Sequence, residues 1–218
     1  MEIKMKKVFL IGDSIRMGYD KYVKEALSDV AEVYYPEENC KFAQYVLRFV
    51  HEWKAKLKVP DDCDIVHWNA GLWDELELFE DEPLSSLPHY EDMIKRIDKR
   101  LRMLFPNAKF VFATSTKVLE EKCKVEFRRH NKTIEEYNKA AIRALSDTDT
   151  IINDLYALTD NLPDECHSDA VHYYTDSGRE AIGGRVLSVI CRECGISAKE
   201  VKIENFEPEK YDKNNIGY

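Results

Sequence analysis

Lys7-Val8-Phe9-Leu10-Ile11-Gly12-Asp13-Ser14-Ile15 is the stretch on which the reading of the fold turns. Its unbroken apolar run is what a strand buried on both faces requires. Gly12 permits a sharp turn, and Asp13 or Ser14 has the short oxygen-bearing side chain that caps a helix start. A strand, a tight turn and a helix in immediate succession are the opening of an α/β unit.

Outward from this stretch the same strand character recurs at residues 31–35, 64–69, 108–114 and 150–153. Segments of helical spacing lie between and after them, at about 17–29, 42–57, 90–104, 131–145 and 176–194. This alternation predicts a flavodoxin-like, three-layer α/β/α fold around a five-stranded parallel sheet. We read one domain over residues 1–198 and a tail, 199–218, that packs on it or frays. Ligands of such sheets bind beyond the carboxyl ends of the strands. Chemistry is therefore expected after Ile11, Tyr35, Asn69 and Thr114, and in the loop before the last helix. The acidic segment 75–88, with interspersed leucines, reads either as a mobile flap over that site or as a surface excursion.

With 218 residues the chain is long enough for a sizeable core, and 44% hydrophobic content places it with ordinary globular proteins. A net charge of -9 argues against a nucleic-acid partner, which needs a concentrated basic face. The Lys4, Lys6, Lys7 cluster is only a strand flank. The apolar run that follows it is shorter than the roughly 7–15 residues of a signal peptide. No run approaches the ~20 apolar residues of a membrane span. A cytoplasmic location is the expectation. Six scattered cysteines fit reduced thiols better than a disulfide framework. Cys191 and Cys194 form a CxxC without a second ligand pair, so no metal is implied.

Ser14, on the turn that leaves the first strand, is placed as a nucleophile would be, with its N–H near a helix N-terminus. Asp169 and His172 lie three residues apart in a short segment before the last helix. That spacing lets the carboxylate receive the imidazole Nδ1–H while Nε2 faces a nucleophile. Either piece alone reads as a helix cap or a polar loop residue. Together, at the two places where this architecture puts its site, they co-occur by chance in roughly one chain in a thousand or fewer.

On these residues the chain resembles the SGNH, or GDSL-type, hydrolase family, from Val8 to about Cys194. Gly12-Asp13-Ser14-Ile15 matches the family's first block, and Asp169-Ala170-Val171-His172 its last. The resemblance implies a serine ester hydrolase without a cofactor, acting on a small-molecule ester through an acyl-enzyme. Ser14, Asp169 and His172 would be its triad. The middle blocks depart from the pattern. In the third block Gly71 and Asp74 match, but Trp73 stands where the oxyanion-binding Asn belongs, which leaves Asn69 as a displaced donor. At the second block, residues 36–42 contain no glycine, and the N–H of Cys40 is the candidate donor, with Asn39 making the turn. The expected oxyanion hole is therefore Ser14, Cys40 and Asn69, with Trp73 and Asp13 as substrate contacts. Trp68, Trp73, His67 and Tyr173 could stack on a sugar, pointing to O-acetylated carbohydrates, or could simply be core. A non-catalytic binding module on the same fold is the alternative. A nucleotide or flavin binder lacks its glycine-rich loop after the first strand.

Overall fold

The computed structural model describes residues 5–206; Lys4 and the tail beyond Phe206 lie outside the described residues. Five parallel strands, β1 (Lys6–Ile11), β2 (Ala31–Tyr34), β3 (Ile65–Trp68), β4 (Lys109–Ala113) and β5 (Ile151–Asn153), form one sheet in the order β2-β1-β3-β4-β5. Among the described residues seven α-helices surround it: α1 (Ser14–Met17), α2 (Asp20–Ala26), α3 (Ala43–Leu57), α4 (Leu87–Leu104), α5 (Asn131–Leu145), α6 (Leu155–Asp160) and α7 (Asp176–Cys194). The expected α/β/α fold is the observed one.

The period-two alternation of a strand sorts the core into two layers. Phe9, Ile11, Val66, Trp68, Phe110 and Phe112 pack under α3, α4 and α5. Val8, Leu10, Ile65, Val111 and Ala113 face the other way, onto α2 and α7. Both faces of the sheet are thus covered, as near-continuous apolar strands demand.

The helix expected over 17–29 is instead two, α1 and α2, broken at Gly18 and Tyr19, whose φ of -127° and ψ of -8° leave the helix. A Cβ on Gly18 would stand 2.9 Å from the Tyr174 ring, so this break receives the loop that precedes α7. Beneath it Arg16 is fully buried, paired with Asp20 and donating to the Glu38 carbonyl at 2.6 Å. The short α6, capped by the Asp154 carboxylate on Ala157 N–H, has no counterpart in the expected elements.

Strand order reverses between β1 and β3, which opens a crevice at their carboxyl ends. There Asn69 N–H bonds the Ile11 carbonyl at 3.0 Å. A Cβ at Gly12 would lie 1.9 Å from Asn69 Oδ1, so only glycine allows this approach.

Segment 75–88 is fastened rather than hinged. Leu84 N–H bonds Leu76 O, Ser85 N–H bonds Asp74 O, and Tyr137 OH donates to Ser85 O. Glu77 and Arg128 exchange both backbone hydrogen bonds, at 3.0 and 2.8 Å, in an antiparallel bridge. Of the two readings, the surface excursion agrees with these ties. Its tip, residues 79–82, projects into solvent, and Leu84, Ser86 and Pro88 are exposed on the way back. The described start of the tail lies on the domain, through Lys199 N–H on Ala26 O and Phe206 edge-on to Tyr22. Among the described residues no helix is long and apolar enough to cross a membrane.

Candidate active site

The turn after β1 places Ser14 as the first residue of α1, and Asp13 caps that helix by accepting from Ile15 N–H at 3.0 Å. Capping turns the Asp13 carboxyl inward: it is fully buried, and burial raises its pKa. Asp13 therefore cannot touch a substrate, and the expectation that it does is corrected. Ser14 remains at the crevice surface, and its carbonyl accepts from Tyr174 OH at 2.6 Å.

The segment before α7 closes on itself. Ser168 donates to the His172 carbonyl from both N–H and hydroxyl, at 2.8 and 3.1 Å. Inside this turn Asp169 Oδ1 accepts from Val171 N–H at 2.7 Å and His172 N–H at 2.8 Å. Its other oxygen lies 2.8 Å from His172 Nδ1, and His172 Nε2 lies 2.9 Å from Ser14 Oγ. Partial burial pushes the Asp169 carboxyl up, but the hydrogen bond and charge of His172 and the two backbone donors outweigh it and bring it down to about 2. A fixed carboxylate thus holds Nδ1 as the protonated nitrogen and leaves the Nε2 lone pair for the Ser14 hydroxyl.

The opposite side of the turn is built differently. Cys40 N–H donates to the Gly12 carbonyl at 3.1 Å, and the residue is fully buried. That donor is committed to holding the turn, so Cys40 is corrected from an oxyanion ligand to a brace. Burial also raises its thiol to about 11, far from a reactive thiolate. Asn39 accepts Lys41 N–H on its side chain at 2.8 Å, and Lys41, with φ 51°, takes the left-handed position instead of Asn39. Asn69 sits between Gly12 and the Asp13 carboxyl, nearly buried. The Ser14 N–H, first in its helix, has no intrahelical acceptor.

In the third block, Gly71 has φ 152°, and a Cβ there would meet Ser115 Oγ at 2.2 Å. Asp74 faces inward, accepting from Ala43 N–H and Ser85 OH, both at 2.9 Å, and burial raises it to about 7. Trp73 turns the other way, into a cavity of about 320 Å³ that also reaches Ser14 and His172. Of the four rings considered for sugar stacking, Trp73 alone lines this cavity. His67 and Trp68 are fully buried, Trp68 against Phe112, and Tyr173 is 2% exposed.

The remaining cavity wall was not singled out in the sequence. Lys122, Lys124, Phe127 and Arg129, from the excursion between β4 and α5, line it together with Leu72 and Leu76. The only signal for them was their position after a strand's carboxyl end. Arg129 is 7% exposed, donates from Nε to the Leu72 carbonyl at 2.8 Å, and lies 3.3 Å from the buried Glu75 carboxyl.

Among solved structures the chain is similar to a lipase/acylhydrolase from Enterococcus faecalis, with a TM-score of 0.69 at 17% identity over 90% of this chain and 100% of that one. An acetyl xylan esterase aligns with a TM-score of 0.65 at 17% identity, covering 84% and 99% of the two chains. A variant of an acetyl-xylooligosaccharide esterase from Geobacillus gives 0.62 at 15% identity, covering 90% and 98%. At these identities the likeness is one of fold, the SGNH hydrolase fold. No family model and no curated protein matches the sequence.

Proposed function

We propose that the chain is a serine ester hydrolase acting through an acyl-enzyme on small acyl esters. The observation that carries this reading is the hydrogen-bonded line from Asp169 through His172 to Ser14, 2.8 and 2.9 Å, ending at an open cavity. His172 Nε2 takes the Ser14 proton as Oγ adds to the ester carbonyl, then returns it to the departing alcohol. Asp169 holds the imidazole tautomer and stabilises the imidazolium. Water, deprotonated by the same nitrogen, releases the acyl group. We assign the Ser14 N–H and the Asn69 carboxamide, which also bonds the Asp13 carboxyl, as donors to the developing oxyanion.

O-acetylated carbohydrates are the narrower reading. Support comes from Trp73 on the cavity wall and from the acetyl xylan and acetyl-xylooligosaccharide esterases that share the fold. The engaged N–H of Cys40 favours a second reading, a binding module whose oxyanion hole is closed. A fluorophosphonate probe separates the two. A hydrolase is labelled at Ser14, and Ser14→Ala, folded by circular dichroism, is not. No labelling of the wild type sinks the hydrolase in favour of the module.

A further inference from the structure

The cations of the cavity wall are unlike the rest of this acidic chain. Lys122, Lys124 and Arg129 line the same cavity as Ser14 and His172, while Asp169 is the one carboxylate lining it. The chain as a whole carries a net charge of -9, so three converging cations run against its average.

Arg129 is the informative one, because at 7% exposure it is not an ordinary solvated surface charge. Its Nε–H is fixed on the Leu72 carbonyl. Glu75 lies behind it at 3.3 Å, but both Glu75 oxygens are without a hydrogen bond among the described residues. The terminal guanidinium nitrogens therefore keep their donors for something else. Burial raises the Glu75 carboxyl well above the usual range, against the pull of Arg129. Leu72, Leu76 and Phe127 line the same cavity with apolar surface, which strengthens charge pairing made inside it.

A planar fork of donors at the wall of an apolar cleft matches the paired oxygens of an anion, a carboxylate or a phosphate. Building on the hydrolase reading, we propose that the ester substrate carries a carboxylate, bound by Arg129 with Lys122 and Lys124 at the mouth, while its ester carbonyl lies at Ser14. The neighbouring Asp13 and Asp169 carboxyl groups disfavour a more highly charged ligand such as a phosphate monoester.

The test compares matched esters on the intact chain. The 4-nitrophenyl monoester of glutarate carries a carboxylate on the acyl side and is paired with neutral 4-nitrophenyl pentanoate. The compound 4-acetoxybenzoate carries it on the alcohol side and is paired with its methyl ester. At least one anionic ester should exceed its neutral match in kcat/KM by about tenfold or more, the range of a charge-assisted pair. Arg129→Gln should bring that ratio to about twofold or less, with Arg129→Lys retaining part of it. Because Arg129→Gln strands Glu75, the double variant Arg129→Gln with Glu75→Gln is measured beside it. The wild-type ratio decides even if neither variant folds. Neutral esters turned over as well as or better than both anionic ones overturn the proposal. If fluorophosphonate still labels wild-type Ser14 in that case, only the carboxylate is lost. If neither labelling nor turnover of any ester occurs, the hydrolase reading fails and takes this inference with it.

Discussion

The loop before α7 and the loop after β2 both lean on the turn that follows β1, and they hold it by different means. From 168–175 it is side chains that reach over: His172 to the Ser14 hydroxyl and Tyr174 to the Ser14 carbonyl. From 36–42 it is backbone and buried groups, with Cys40 N–H closing on Gly12 and the guanidinium of Arg16 spanning to Glu38. Asp169 on the first side keeps more than half of its side-chain surface in solvent, whereas Asn39, Cys40 and Asp74 on the other side have none. Polar groups that remain open to the cavity can act on a substrate or orient the base that does. Those closed inside can only fix geometry, and they do so at the cost of desolvation.

Perturbing each side tests this division. The largest effect is expected from Asp169→Asn, which removes the acceptor for His172 Nδ1–H and frees the imidazole to take the unproductive tautomer. We expect kcat on p-nitrophenyl acetate to fall about 10³-fold. A fall under about tenfold would break the comparison, since the exposed carboxylate would then be dispensable.

Next in size is a stability effect on the closed side. Asp74 has a folded pKa of about 7 against an ordinary 3.8, so the folded state prefers its neutral form. Stability from this group is complete below the unfolded value and is lost as pH rises through about 7, by up to about 4 kcal/mol. Asp74→Asn escapes that loss. Urea denaturation at pH 4, 5.5 and 7 should show the variant gaining on the wild type as pH rises; a constant difference contradicts it.

The smallest of the three falls between the two sides. Asn69→Ala should slow p-nitrophenyl acetate hydrolysis about a hundredfold, the usual cost of one oxyanion donor. An unchanged rate transfers the role to Trp73 or to backbone N–H groups alone, and makes the closed side wholly structural.

The strands were legible in the sequence because burial on both faces imposes a composition that β1 states plainly in Val8 to Ile11. Ser14, Asp169 and His172 were legible because two short segments fix both their chemistry and their place on the sheet. The break at Gly18 and Tyr19 was hidden, because the apolar spacing continues across it and the ring that fills the gap, Tyr174, is distant in sequence. The fate of the Cys40 N–H was equally hidden, since a backbone donor has no side-chain signature and its partner is set only by folding. Arg129 escaped for a related reason: its loop has no period, and only tertiary packing shows that a charged residue there is nearly buried.

The bridge between Glu77 and Arg128 has a further meaning for how this cavity can change. Leu76 and Arg129, which both line the cavity, are the immediate neighbours of the two bridged residues. Their backbones are therefore tied through this hydrogen-bonded bridge, about 5.5 Å between its two Cα atoms, and not by the bulk of whatever side chains they carry. The wall behaves as a fixed frame with exchangeable panels. Substitutions at positions 76, 127 and 129 can reshape the opening one side chain at a time while its frame keeps the same width.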